Sequence, residues 1–234
     1  MQLKGSYGMI TGAGRGIGKA IALKLAKEGA NLSLLARTES ELIETSNEVK
    51  KFGVKAYYTV GDISKQEDVD RFYKDTMTHF PNIDFLVNNA GMAYYGELMR
   101  ISLEKVVEMM NVNFFGAYYL TMKVLPRMLA RGTGHIINMV SMLGMVVEPG
   151  WVPYCASKHA LRVLTEGLRA ELRGTGVKVT GIYPGAVRTK LLESVGRLRP
   201  GILEPEDVAE AIVFVLKQPY GVEVGDVTIL PKRT

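Results

Sequence analysis

The sequence has 234 residues, 47% hydrophobic and 23% charged, a balance that excludes a disordered chain and suits one sizeable α/β domain over residues 1–234. The longest purely apolar run, Ala211 to Leu216, is far too short to cross a bilayer, and the single cysteine, Cys155, cannot close an internal disulfide. With no signal-like apolar stretch at the start, a cytoplasmic protein without a membrane partner is expected. The net charge of +5 comes from scattered lysines and arginines, densest from Arg188 to Arg199 and there interrupted by Glu193, which argues against nucleic acid.

Apolar, β-rich runs alternate with helix-period segments from end to end. Tyr7–Thr11 reads as the first strand, and a helix from about Ile17 to Glu28 stops at Gly29. Strand Asn31–Ala36, a helix after Thr38, strand Lys55–Val60 and a helix after Ser64 follow. Ser64-Lys65-Gln66-Glu67 has capping-box spacing, which sets that helix start at Ser64. Next come strand Ile83–Asn88 and a long helix from about Ser102 to Arg131, with a bend expected at Pro126. Strand His135–Val140, helix Pro153–Arg173 and strand Val177–Tyr183 complete the main body. A last helix opens with Pro205 beside Glu206 and Asp207, and strand Val227–Leu230 closes the chain. Such alternation implies parallel strands with right-handed crossovers: a doubly wound, Rossmann-type α/β sheet of seven strands, with helices on both faces in three layers.

Between the first strand and first helix lies Thr11-Gly12-Ala13-Gly14-Arg15-Gly16-Ile17-Gly18. Glycines there permit positive φ and let a pyrophosphate approach the backbone beside a helix N-terminus, whose free amides favour anions. The spacing Thr-Gly-x-x-x-Gly-x-Gly resembles the short-chain dehydrogenase/reductase family rather than the generic dinucleotide fingerprint. Later residues repeat the resemblance in order: Asp62 after the third strand, Asn88-Asn89-Ala90-Gly91 at the end of the fourth, Ser141, Tyr154 and Lys158, then Pro184-Gly185-Ala186-Val187-Arg188-Thr189 after the sixth. It spans essentially the whole chain.

At the end of the second strand an NAD enzyme presents a carboxylate to the ribose hydroxyls. This chain has Ala36 then Arg37, with Arg15 in the glycine loop. Two guanidiniums suit the 2′-phosphate of NADP, so NADP is the expected cofactor; the alternative is that both are plain surface charges. The resemblance implies that Asp62 and the Ile63 amide meet the adenine, that Asn89 and Gly91 border the cofactor, and that Thr189, with Pro184, Gly185 and Val187, lies along the nicotinamide half. Asp62 has turn capping as its alternative role, and the asparagine pair has sheet bracing.

Tyr154 and Lys158 share one helix face, four residues apart. Tyr119 and Lys123 have the same spacing, but only Tyr154 follows a strand-end serine, Ser141, at the family's separation. A carbonyl receiving hydride needs a proton donor, and free tyrosine, with a pKa near 10, needs softening to work in reverse. A nearby ammonium and the oxidised nicotinamide are expected to lower that value. Ser141 is expected to hold the substrate oxygen. Asn113, rather than Asn111, matches the family's helix asparagine, which positions a water beside the lysine; helix-kink stabilisation is its alternative role. The three histidines, His79, His135 and His159, form no ligand pattern, and no metal is expected.

Lys190 to Glu204 lies where the family places its substrate lid. Leu143, Met145, Val146, Val147, Trp151, Leu191 and Leu192 are candidate linings of an apolar cleft. The short lid and tail look more like the family's alcohol and 3-hydroxy-acid dehydrogenases than its fatty-acid reductases. The expected activity is therefore reversible hydride transfer between NADP(H) and small secondary alcohols, polyols or sugars and their carbonyl forms. A 3-oxoacyl carrier-protein reductase is the second reading, and a non-catalytic NADP-binding sensor the third. The resemblance also implies a homotetramer built through Val106–Leu129 and Pro153–Leu172, with Tyr118, Tyr119, Met122 and Leu168 as contacts.

Overall fold

The computed structural model describes residues 1–232. Its sheet has seven parallel strands in the order β3-β2-β1-β4-β5-β6-β7: β1 Tyr7–Thr11, β2 Asn31–Ala36, β3 Ala56–Val60, β4 Phe85–Asn88, β5 Gly134–Met139, β6 Val177–Pro184 and β7 Asp226–Ile229. The strand pattern explains itself through burial. The central β4 and β5 are buried at every position, as strands covered on both faces must be, whereas edge strand β7 alternates half-buried and exposed residues. The seven-stranded parallel sheet expected from alternation is the one observed.

Helices α1 (Gly16–Lys27), α2 (Glu39–Lys50) and α8 (Pro205–Lys217) cover one face. Ile21 and Leu25 of α1 share a core there with Ile212 and Leu216 of α8. On the other face, α3 (Gln66–His79), α5 (Gly116–Arg131) and α6 (Val152–Glu171) bury Phe72, Leu120, Val124 and Leu168 against the sheet. The strand order reverses between β1 and β4, and that switch opens a crevice at the strands' carboxyl ends.

Three expectations need correction. Helix α3 starts at Gln66, with Lys65 at its N-cap. The Ser64 amide and hydroxyl instead donate to Asp62 Oδ1 at 2.9 and 2.8 Å, so a local Asx turn wins over the capping box. The long helix is interrupted at Asn111–Phe115, a π-helical turn between α4 (Leu103–Met110) and α5, rather than at Pro126, which sits inside α5. Gly116 explains why the irregularity falls there: a Cβ at this position would lie 2.6 Å from the Ile63 carbonyl, so the helix crosses that loop in bare-backbone contact. Finally, Leu168, expected at a subunit contact, is buried in the chain's own core. The apolar side chains left exposed on these helices include Phe115, Tyr118 and Val163. A short helix, α7 (Lys190–Ser194), forms in the expected lid, where no periodicity announced it.

Candidate active site

The crevice is a cleft of about 1660 Å³ running from Arg37 and Asp62 at one end to Trp151 and Leu192 at the other. The glycine loop forms its lip. Gly12 has φ +66°, and a Cβ there would press within 2.9 Å of Ala90 Cα. A Cβ on Gly18 would lie 2.1 Å from the Gly12 carbonyl, so α1 can start this close to β1 only with bare backbone. Gly14, Gly16 and Ile17 line the same wall, leaving the start of α1 open to the cleft. Asn89 braces the loop from β4: its Nδ2 donates to the Thr11 carbonyl at 2.9 Å, and the Thr11 hydroxyl accepts from the Asn89 and Ala90 amides. A bare-backbone lip beside a helix start, in a cleft of this length, fits a dinucleotide.

Both candidate phosphate-binding arginines line the cleft, and each already faces a carboxylate. Arg15 NH1 lies 3.2 Å from Glu41 Oε1, and Arg37 NH1 lies 3.9 Å from Asp62 Oδ2. Asp62 performs its turn role through Oδ1, while Oδ2 faces Arg37 and Asp62 lines the cleft. Ile63 follows it into the cleft wall. Pro184, Gly185, Val187 and Thr189 line the opposite side. Thr189 Oγ1 accepts from the Leu192 amide at 3.3 Å and so caps α7.

At the inner end, β5, α6 and the π-helical turn bring Ser141, Asn113 and the Tyr154–Lys158 pair together. Ser141 follows β5 with φ 150° and ψ 157°, and it is the one non-glycine among the described residues with positive φ. That conformation is strained for a residue carrying a Cβ, and it turns the chain so the Ser141 hydroxyl faces the Tyr154 phenol. Lys158 stands one turn beyond Tyr154 on α6, and its Nζ lies 5.8 Å from the tyrosine ring centre. The ammonium is buried, with a hydrogen bond of 2.8 Å to the Met139 carbonyl at the end of β5.

Asn113 sits in the π-helical turn, 1% exposed, and its amide is fully engaged. Oδ1 accepts from the Met92 amide at 2.8 Å, while Nδ2 donates to the Met92 carbonyl and to Ser157 Oγ, both at 2.9 Å. Ser157 in turn donates to the Tyr154 carbonyl at 2.7 Å. Asn113 therefore ties the segment after Gly91 to the first turns of α6. Gly91 completes the cluster, because a Cβ there would sit 3.3 Å from Asn113 Oδ1 and 3.6 Å from Lys158 Nζ.

Burial dominates the ionisation of the pair. It pushes the Tyr154 phenol up to about 12, against a smaller lowering by the nearby Ser141 hydroxyl. It brings the Lys158 ammonium down to about 8. In the chain by itself, desolvation is the largest influence on the phenol and the one influence on the ammonium. The protein alone holds Tyr154 as a proton donor.

Of the expected apolar linings, Leu143, Val146, Trp151, Leu191 and Leu192 face the cleft. Met145 and Val147 do not line it; they lie exposed on the surface, because the 3-10 turn Met142–Gly144 carries them outward. Tyr119 and Lys123 share Asp70 outside the cleft, at 3.1 and 2.8 Å. His79 stacks on Tyr57, His159 accompanies the Cys155 carbonyl, and buried His135 is kept neutral by a pKa pushed down to about 3. Among the described residues no group of three or more His, Cys, Asp or Glu could hold a metal ion, and no helix is long and apolar enough to cross a membrane. Sequence reasoning missed Glu41 and Ser157. Glu41 reads as an ordinary first-turn helix acid, and Ser157 shows itself only through partners on other elements.

Comparison with known proteins agrees with this geometry. The short chain dehydrogenase family matches residues 8–199. An oxidoreductase of Staphylococcus aureus is 37% identical over 223 residues, covering 95% of this chain and 96% of its own. Among solved structures, an alcohol dehydrogenase from the archaeon Thermococcus sibiricus, complexed with 5-hydroxy-NADP, superposes with a TM-score of 0.90 at 32% identity, covering 97% of each chain. A metagenomic short-chain oxidoreductase in complex with NADP gives 0.88 at 29% identity over the full length of both. Levodione reductase gives 0.91 at 26% identity, covering 97% of this chain and 96% of its own.

Proposed function

Because the chain belongs to the short-chain dehydrogenase family and is an oxidoreductase, we propose that it transfers hydride reversibly between NADP(H) and small secondary alcohols, polyols or sugars and their carbonyl forms. The observation that carries this reading is the meeting of Ser141, Tyr154 and Lys158 at the inner end of a glycine-lipped cleft. Bound NADPH supplies the hydride to the carbonyl carbon. Tyr154 gives its phenolic proton to the carbonyl oxygen, and the high pKa of the free site keeps that proton in place at neutral pH. Ser141 donates a hydrogen bond to the same oxygen as negative charge builds there. The Lys158 ammonium hydrogen-bonds the nicotinamide ribose and stabilises the phenolate left behind; in alcohol oxidation Tyr154 takes the proton back. Asn113 holds the Met92 segment against α6, and a water beside it and Lys158 returns the proton to solvent.

The glycines at 12, 14, 16 and 18 take the pyrophosphate, with Asn89, Gly91, Pro184, Gly185, Val187 and Thr189 along the cofactor and Asp62 with Ile63 at the adenine. Arg15 and Arg37 take the 2′-phosphate. The NADP complexes of two similar structures support this cofactor, and exposed Phe115, Tyr118 and Val163 support a homotetramer. The test is a panel of small ketones, sugars and acyl thioesters, followed at the NADPH absorbance band. Turnover of ketones with NADPH above NADH supports the reading. Turnover confined to thioesters makes the protein a 3-oxoacyl carrier-protein reductase. Tight cofactor binding without turnover makes it a sensor.

A further inference from the structure

Three elements far apart in the chain converge on one carboxylate at the adenosine end of the cleft. Glu41 Oε1, in the first turn of α2, lies 3.2 Å from Arg15 NH1 in the glycine loop and 3.3 Å from Lys190 Nζ at the start of α7. Helix α2 is fixed to the loop: the Thr45 hydroxyl donates to the Gly14 carbonyl at 3.2 Å, and a Cβ on Gly14 would meet Glu41 Cβ at 3.1 Å. The Glu41 side chain is 21% exposed, against 53% for Arg15 and 65% for Lys190. The carboxylate is therefore held in the cleft wall while the two cations reach out to it.

We propose that Glu41 is a specificity-determining residue: its carboxylate occupies Arg15 and Lys190 in the cofactor-free protein and competes with the 2′-phosphate of NADP for them. This rests on the assignment of Arg15 to that phosphate. While Arg15 NH1 hydrogen-bonds Glu41, that donor and part of the guanidinium charge are taken from an incoming phosphate, and Glu41 also repels the dianion. A ligand carrying a plain 2′-hydroxyl leaves the Arg15–Glu41–Lys190 bridge intact and meets no such cost. Glu41 thus narrows the preference for the phosphorylated cofactor below what the two arginines alone would give, and binding of that cofactor loosens the tie between α2 and the lid helix α7.

The test is calorimetric titration of the full, cofactor-free chain with 2′,5′-ADP and with 5′-AMP. Tighter binding of 2′,5′-ADP by the wild type is the requirement of the NADP assignment itself; equal affinities would end that assignment whatever Glu41 does. Given that preference, Glu41→Gln keeps the side chain's shape and is expected to tighten 2′,5′-ADP about tenfold while moving 5′-AMP less than about twofold, as removal of one competing charge should. Unchanged or weaker 2′,5′-ADP binding overturns the proposal, since Glu41 would then orient Arg15 for the phosphate. Equal tightening of both ligands overturns it too. In an Arg15→Gln background the gain from Glu41→Gln should shrink to a small residue, and a gain of full size there shows that the two do not act as a pair.

Discussion

The molecule contains the same Tyr-x-x-x-Lys spacing twice, and the two copies show how much of the chemistry lies outside the motif. On α5, Tyr119 and Lys123 stand against Asp70, with the lysine 5.0 Å from the tyrosine ring centre. Asp70 raises the Lys123 pKa and is itself lowered by the lysine, so this pair gains charge stability in water. On α6 the corresponding distance is 5.8 Å, yet among the described residues no carboxylate answers Lys158, whose partner is the neutral Met139 carbonyl. Burial then dominates, pushing the phenol up to about 12 and the ammonium down to about 8. A surface pair with an anion is electrostatically settled; a buried pair without one is poised to accept a charged ligand and to move a proton.

The largest break in that comparison is Tyr154→Phe. It should cut turnover by about 10³-fold or more, the scale of a lost general acid, while NADPH binding measured by fluorescence remains. Substantial residual turnover would remove the phenol from the reaction. The high pKa of Tyr154 also gives the pH dependence a sign. Reduction uses the protonated phenol and should stay flat through neutral pH, whereas oxidation needs the phenolate and should speed up towards alkaline pH. Parallel profiles in the two directions would contradict that assignment.

Ser141 sharpens the buried side of the comparison. Both Ser141→Ala and Ser141→Gly delete the hydroxyl, and each should lower turnover about 10²-fold, as loss of a donor to a developing oxyanion does. The two should differ in stability. Glycine accepts φ 150° freely while alanine does not, so the glycine variant should unfold with about 1 kcal/mol more free energy than the alanine variant. Equal denaturation midpoints would show that the backbone at Ser141 is not strained.

The sheet and its seven strands were legible because each follows from local pattern, and so was the placing of Ser141, Tyr154 and Lys158 on one cleft. Parallel strands covered on both faces read as unbroken apolar runs, and glycines are forced wherever backbone meets backbone. What was not legible depends on contacts between distant elements. Ser64 has the spacing of a helix cap, but Asp62, two residues back, competes for the same hydroxyl and wins. Pro126 is the obvious place for a helix to deform, yet the deformation follows the crossing of Gly116 over Ile63. The setting of Lys158 was out of reach for a similar reason: spacing shows that a lysine stands near Tyr154, but not that its ammonium is buried on the Met139 carbonyl.

Lys158 offers a test in stability rather than rate. Its folded-state pKa is lowered to about 8 from the 10.5 of an ordinary lysine, so below about pH 8 the ammonium is charged in both folded and unfolded chains and its burial cost is fully present. As pH rises from about 8 towards 10.5 the folded protein releases that proton first, and the cost fades. Lys158→Met has no such group. The melting temperature of the wild type should therefore rise relative to the variant across that window, and a constant difference would show that the lysine is not desolvated.

The smallest effect is expected where the motif is copied without its surroundings. Tyr119→Phe removes one hydroxyl whose acceptor, Asp70, keeps Lys123 at 2.8 Å. Its ring still packs beside the α3–α5 core, so neither turnover nor cofactor affinity has a reason to move. Steady-state kinetics of this variant beside Tyr154→Phe make the comparison quantitative: a ratio near one for the first, against about 10³ for the second, assigns the chemistry to burial and to Ser141 rather than to spacing. A drop of tenfold or more in Tyr119→Phe would mean that the α5 pair reaches the reaction after all, and the division between the two copies would have to be redrawn.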